Sequence, residues 1–128
     1  MSKSKIHRLG ERQLEIMKVL WERGEATVGE VHEVVAGEDD LAYTTIATML
    51  RKMEGRRLVS HRLEGRTFIY HALVKEAAVS RGMSDDLVDR LFAGSLADMV
   101  SHLLRTREVS REELSRLEEL IAERKRNG

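Results

Sequence analysis

The sequence predicts a mainly α-helical protein that carries a small β-hairpin. Apolar residues recur at helical spacing along most of the 128 residues, proline is absent, and aromatic residues make up 4% of the chain. Only residues 58–71 replace this pattern with β-prone residues around a glycine. A chain of this length accommodates one domain, or a small domain with an appendage.

The first two predicted helices have clear start and stop signals. The first follows Gly10 and ends near Gly24, with an apolar stripe that includes Leu14, Met17 and Trp21. The second begins at a capping box in which Thr27 is the N-cap and Glu30 the third helical residue. Its short apolar face consists of Val31, Val34 and Val35, and the acidic loop 38–40 ends it.

The third predicted helix runs from about Tyr43 to Gly55 and has two chemically different faces. One face is apolar and is expected to be buried: Ile46, Met49, Leu50 and Met53. The opposite face offers three hydroxyl groups and two cations: Thr44, Thr45, Thr48, Arg51 and Lys52. No acidic residue interrupts it before Glu54, whereas a solvated surface helix normally mixes both signs of charge.

A basic hairpin follows the third helix. Its turn is predicted at Glu64-Gly65, and Arg62 and Arg66 flank that turn. Three helices and a hairpin in this order are typical of the winged helix-turn-helix fold. In that fold the third helix enters the DNA major groove and the hairpin, called the wing, lies along the neighbouring backbone. We therefore predict a winged-helix DNA-binding domain at residues 1–75.

The charge distribution favours nucleic acid more than the total charge does. The formal net charge is zero, which by itself argues against a DNA-binding protein. Segment by segment, however, residues 1–8 carry +3, residues 9–40 carry −6, residues 41–75 carry +5 and residues 76–128 carry −2. The positive block coincides with the third helix and the wing, which is where the predicted fold contacts DNA.

Residues 76–128 predict further helices and a dimer. Ser84, Ser95 and Ser110 each precede acidic residues and are predicted N-caps. The helices that follow are too short to surround a core of their own. We therefore expect a helical dimerisation domain that pairs with a second copy of the chain; packing back onto the first domain is the alternative. The expected contact residues are Leu91, Leu96, Met99, Val100, Leu103, Leu114, Leu117, Leu120 and Ile121.

The sequence resembles the BlaI/MecI/CopY family of bacterial winged-helix repressors, the penicillinase-repressor family. The most specific match is Leu41-Ala42-Tyr43-Thr44-Thr45-Ile46, followed by Thr48-Met49-Leu50 and by Gly65-Arg66 in the wing. The resemblance implies a homodimeric repressor that binds operator dyads with TACA/TGTA half-sites. It places the DNA contacts on Thr44, Thr45, Thr48, Arg51, Lys52, Arg62 and Arg66.

The resemblance also implies a mode of release. In well-studied members a membrane sensor metallopeptidase responds to β-lactam antibiotics, and proteolysis of the C-terminal region weakens the dimer. The corresponding bond here is His102-Leu103, where the best-known members have Asn-Phe. Regulation by β-lactams or by cell-envelope stress is thus an expectation. The copper-responsive branch, which ends in a cysteine-rich motif, is excluded because the chain has no cysteine.

Other classes of function have little support in the sequence. No catalytic motif is present, so we expect no enzyme and no cofactor. The histidines have no helical pairing that would suggest a metal site, although His61 and His71 could face each other across the hairpin. No apolar run can span a membrane and no secretory signal is evident, which predicts a cytoplasmic protein. A winged helix used for protein contact, or a ligand-responsive regulator, are the alternative functions.

Overall fold

A computed structural model describes residues 9–37 and 39–128 of the protein. The basic segment 1–8 and Glu38 of the acidic loop lie outside the described residues. The elements, in chain order, are α1 (Glu11–Arg23), β1 (Ala26–Thr27), α2 (Val28–Ala36), α3 (Tyr43–Gly55), β2 (Val59–Glu64), β3 (Thr67–Ala72), α4 (Glu76–Phe92), α5 (Leu96–Thr106) and α6 (Arg111–Arg126). The predicted fold class, mainly α with a small β-wing, is confirmed.

The described residues form two compact units, one that extends to residue 84 and one that comprises residues 85–128. Helix α4 runs through the division, so the domain boundary predicted after residue 75 stays a prediction. The prediction that Ser84 caps a helix is wrong, because Ser84 lies inside α4. The helix begins earlier, at Glu76, and its residue Val79 is buried, which extends the helix through the local capping signal.

The first unit has one hydrophobic core, built by α1, α2, α3 and the sheet. The largest fully buried side chains include Ile16, Met17, Leu20, Val31, Ile46, Leu50, Met53, Leu58 and Val59. The predicted apolar stripes are confirmed in part: Leu14 and Trp21 of α1 are only half-buried, and two further residues differ. Met49 is only half-buried. Val34 is 50% exposed, because Val28, Val31 and Val35 form the inward stripe of α2 and Val34 lies to one side of it.

The sheet has three antiparallel strands in the order β1-β3-β2. The hairpin is confirmed, but its turn lies one residue later than predicted: Glu64 is the last residue of β2 and pairs with Thr67, so Gly65 and Arg66 form the turn. Gly65 has a φ of +65°, which suits a hairpin turn that needs a left-handed first residue. Strand β1 was not predicted, since two residues are too few to show an alternating pattern. It pairs with β3 through Ala26–Tyr70 and Thr27–Ile69.

The predicted capping box at the start of α2 is confirmed in both directions. The backbone N–H of Glu30 donates to Thr27 Oγ1 at 3.1 Å, and the backbone N–H of Thr27 donates to Glu30 Oε1 at 2.9 Å. These hydrogen bonds, together with the nearby charge of Arg23, lower the pKa of the exposed Glu30 carboxyl. The box therefore favours the ionised form of Glu30.

We expect Glu30→Gln to lower the thermal midpoint Tm at neutral pH, because the amide keeps an acceptor but loses the charge. A carboxyl whose pKa is depressed in the folded state stabilises that state above its unfolded pKa and loses this contribution as the pH falls through the folded value. The Tm difference between Glu30→Gln and wild type should thus shrink steadily as the pH falls below about 4, the ordinary pKa range of a glutamate. A difference that persists unchanged in acid would contradict the assignment.

Candidate nucleic-acid interface

Helix α3 presents one exposed polar face beside its buried apolar one. Thr44, Thr45, Thr48, Arg51 and Lys52 are all exposed, and we call these five residues the hydroxyl–cation face. All of them except Arg51 line a shallow groove of about 330 Å³, together with Met49. Hydroxyl groups can bond base edges or phosphates, and the cations can neutralise phosphates. The face can therefore both read and hold a nucleic acid.

Two long-range contacts fix the turn that leads into α3. The N-cap residue Ala42 has no side chain that could cap the helix. Instead His32 Nε2 donates to the carbonyl oxygen of Leu41 at 2.6 Å, because a carbonyl can only accept. On the other side of the turn, Arg12 of α1 bonds Asp39 at 2.7 Å and the carbonyl oxygen of Val35 at 3.0 Å. Side chains of α1 and α2 thus set where α3 begins.

His61 joins the wing to α3. Its Nδ1 lies 2.7 Å and 2.9 Å from the two carboxylate oxygens of Glu54, the acidic residue near the end of that helix. The imidazole ring also stacks on Phe68 of β3, with centroids 4.1 Å apart and planes 6° apart. Tyr70 lies beside them, and burial raises the pKa of its phenol, which Glu54 raises further. This face of the hairpin therefore packs towards α3.

Arg62, the next residue along β2, points to the opposite face of the hairpin. Its guanidinium lies 2.6 Å from Glu64 and 2.9 Å from Glu25, the residue before β1. Hydrogen bonds to these two carboxylates raise the pKa of Arg62. All three side chains are substantially exposed, so solvent weakens the pairs. The positive charge of Arg62 is thus already compensated within the protein.

Arg66 differs from Arg62 in its surroundings. It occupies the wing turn, is exposed, and forms no ion pair with any other residue that the structure describes. Its charge is available at the tip of the wing. The sequence analysis predicts the same role for both arginines, because Glu25, which lies next to Arg62 in the fold, is far away in the chain.

The expectation that His61 and His71 could face each other is wrong. His61 pairs with Tyr70 and His71 pairs with Ser60, so the two imidazoles lie on opposite faces of the hairpin. Among residues 9–37 and 39–128 no cluster of histidine, aspartate or glutamate is arranged to hold a metal ion. Within the same residues, no helix is both long and apolar enough to cross a membrane.

A cleft of about 380 Å³ lies between the first turn of α2, the first residue of α3 and the wing turn. It is lined by Thr27, Val28, Gly29, Tyr43, Arg66, Thr67 and Phe68. Two half-exposed aromatic rings belong to it, Tyr43 at 53% and Phe68 at 41% exposure. Of these residues, the sequence analysis predicts only Arg66 as a DNA contact. The others come from three separate segments, whose proximity only the fold reveals.

The second unit exposes its apolar residues. Ser95 and Ser110 cap α5 and α6 as predicted, each accepting a hydrogen bond from the backbone N–H three residues on. Neither helix buries a single residue. A groove of about 610 Å³ is lined mainly by apolar side chains of the two helices: Leu96, Val100, Leu104, Leu114, Leu117, Leu120 and Ile121. The predicted contact residues Leu91, Met99 and Leu103 are exposed or half-buried.

The bond between His102 and Leu103 lies inside helix α5. Leu103 is half-buried, and the carbonyl oxygen of His102 accepts a hydrogen bond from the Thr106 hydroxyl at 2.9 Å. Proteases bind their substrates as extended chains, so this bond becomes cleavable only when the helix opens locally.

Comparison with known proteins identifies close relatives in sequence. A family model described as "Penicillinase repressor" matches residues 9–123. The penicillinase repressor of Bacillus licheniformis is 29% identical over 121 residues, covering 94% of both chains. The transcriptional regulator BlaI of Mycobacterium tuberculosis is 31% identical over 122 residues, covering 94% of this chain and 87% of that one. MecI of Staphylococcus aureus is 18% identical over 118 residues, covering 92% and 96%.

Solved structures agree with the fold. The solution structure of the DNA-binding domain of the repressor BlaI aligns with a TM-score of 0.51 and 29% identity, covering 59% of this chain and 93% of that one. The Escherichia coli MarR variant C80S aligns with a TM-score of 0.53 over 90% of this chain and 74% of that one; at 15% identity this likeness concerns the fold alone. On the family match and these relatives together, the chain belongs to the penicillinase repressor family.

Proposed function

We propose that the protein is a homodimeric transcriptional repressor that binds operator dyads with TACA/TGTA half-sites. The observation that carries the proposal is the hydroxyl–cation face, which is exposed while the opposite side of the same helix is buried. The family membership and the match to the DNA-binding domain of BlaI support it. A winged helix used for protein contact would instead present apolar residues on this face.

The threonines and the cations have different roles in the proposed DNA contact. Thr44, Thr45 and Thr48 offer hydroxyls to base edges and methyl groups to thymine methyls, so they read sequence. Arg51, Lys52 and Arg66 neutralise phosphates, which fixes position without reading sequence. Arg62 joins this set only after it exchanges Glu64 and Glu25 for a phosphate; because those carboxylates are exposed, the exchange costs little.

The second unit supports dimerisation. Its helices leave an apolar groove open and bury no residue of α5 or α6, so the single chain does not satisfy their apolar stripes. A second copy, with the same surface, would cover both grooves in a two-fold symmetric contact. Two protomers would then place their α3 helices in major grooves about one helical turn, ~34 Å, apart.

Release from DNA would follow from loss of the dimer. In the proposal, β-lactam or cell-envelope stress activates a membrane sensor metallopeptidase, and cleavage near His102-Leu103 separates the two halves of each groove. Opening of α5 is the step that exposes this bond. Because each protomer alone contacts one half-site, the loss of the dimer removes the gain in affinity that linked binding provides.

We expect Thr48→Val and Arg66→Gln to affect operator binding in different ways. The valine keeps the shape of Thr48 but loses its hydroxyl, so the ratio of affinities for matched and mismatched half-sites should fall. The glutamine should weaken binding to all duplexes alike, by about 3- to 10-fold, because it removes a phosphate contact. Fluorescence anisotropy with dyad, single-base-variant and scrambled duplexes measures both. Equal affinity of wild type for dyad and scrambled duplexes would refute the proposed function.

We expect Ile121→Asp to convert the dimer to monomers and to weaken operator binding at least about 10-fold. Ile121 is 56% exposed in the single chain, so the charge should not disturb the protomer, whereas in a dimer it would be buried without a partner. Val34→Asp, an equally accessible change on α2, is the control and should remain dimeric. Sedimentation equilibrium measures the mass; a monomeric wild type would contradict the proposed assembly.

A further inference from the structure

The cleft between α2, α3 and the wing turn lies next to the hydroxyl–cation face and has its own chemistry. Its lining combines the phenol of Tyr43, the guanidinium of Arg66, the hydroxyl of Thr67 and the ring of Phe68. We propose that this cleft binds one backbone phosphodiester of the operator together with its deoxyribose. The inference rests on the proposed function and extends the DNA contact to residues outside the hydroxyl–cation face.

Tyr43 is held in place within the protein but its hydroxyl is free to donate. Its ring meets the edge of His32, with centroids 6.0 Å apart and planes 62° apart, and His32 is itself bonded to Leu41. The side chain is 53% exposed, and its hydroxyl forms no hydrogen bond with any residue in the described part of the chain. A phenol positioned in this way can donate to a phosphate oxygen without first losing another partner.

The charges around the cleft favour an anion at Arg66. Two carboxylates of the segments that form the cleft are engaged elsewhere: Glu30 accepts from the backbone of Thr27, and Glu64 pairs with Arg62. Neither compensates the guanidinium of Arg66. Thr67 adds a second hydroxyl at the rim, and Phe68 gives an apolar wall against which a sugar can pack. Cation, hydroxyls and apolar wall together match the parts of a sugar–phosphate unit.

Gly29 supplies an independent observation. It lies within helix α2 with no positive φ, so the backbone does not require glycine there. A methyl group built on it would lie 3.8 Å from Thr27 Oγ1 and 3.9 Å from Tyr43 Cε2, which are ordinary contacts. Alanine would also favour the helix over glycine. Neither the backbone conformation nor the packing of the protein requires glycine at this position. In the proposal, a methyl group on residue 29 would occupy the space of the bound phosphodiester.

The test uses the full chain and the dyad duplex in fluorescence anisotropy. We expect Tyr43→Phe to weaken binding by about 3- to 10-fold on every duplex alike, the worth of one hydrogen bond to a phosphate. Gly29→Ala should weaken binding at least about threefold while its Tm stays at or above the wild-type value. The matched control is Gly55→Ala at the end of α3, where an added methyl group meets no atom within 4 Å; its affinity should equal that of wild type.

Neutral methylphosphonate linkages, placed one at a time in the duplex, locate the phosphate. We expect one linkage per half-site that weakens wild type strongly and Tyr43→Phe much less, because the variant has already lost that contact. The inference is overturned if every linkage affects wild type and Tyr43→Phe equally, or if Gly29→Ala binds the duplex as tightly as Gly55→Ala. It is also overturned if inorganic phosphate, added at constant ionic strength, binds in the cleft while no single linkage distinguishes wild type from Tyr43→Phe. The proposed function survives these outcomes as long as wild type still prefers the dyad.

Discussion

The two-sided character of helix α3 is the constraint on which the rest of the structure depends. Ile46, Leu50 and Met53 are buried completely, and at helical spacing their burial forces the intervening threonines and cations to the surface. Replacing the apolar set would rotate or loosen the helix and so misplace the polar set. The core and the hydroxyl–cation face are therefore coupled, because the same helix supplies both.

The other elements of the first unit keep that helix and the wing in register. His32 and Arg12 hold the turn before α3, and Glu54 of α3 attaches the wing. Glu54 bonds His61, while Glu64 pairs with Arg62. The only two acidic residues between positions 41 and 75 are thus used inside the wing and its junction. Both carboxylates therefore bond to residues other than Arg51, Lys52 and Arg66.

Local signals in the sequence were sufficient for most of the fold. The bounds of α1, α2 and α3, the capping box of α2 and the hairpin follow from residues close together in the chain, because caps and turns are local interactions. Errors occurred where tertiary packing decides. Ser84 carries a good capping signal but lies inside a helix that begins at Glu76 and buries Val79 in its first turn. Arg62 pairs with Glu25, and the cleft around Tyr43 is lined by three separate segments. Both features bring together residues that are distant in the chain, so a local sequence pattern cannot predict them.

The salt dependence of operator binding tests the central claim most directly. If Arg51, Lys52 and Arg66 of each of two protomers neutralise one phosphate each, binding should release about six counterions from the DNA. A plot of log K against log salt for the wild-type chain and the dyad duplex should then have a slope of roughly −5. A slope near zero would contradict the account, because it would mean that the exposed cations of α3 and the wing do not meet the DNA backbone.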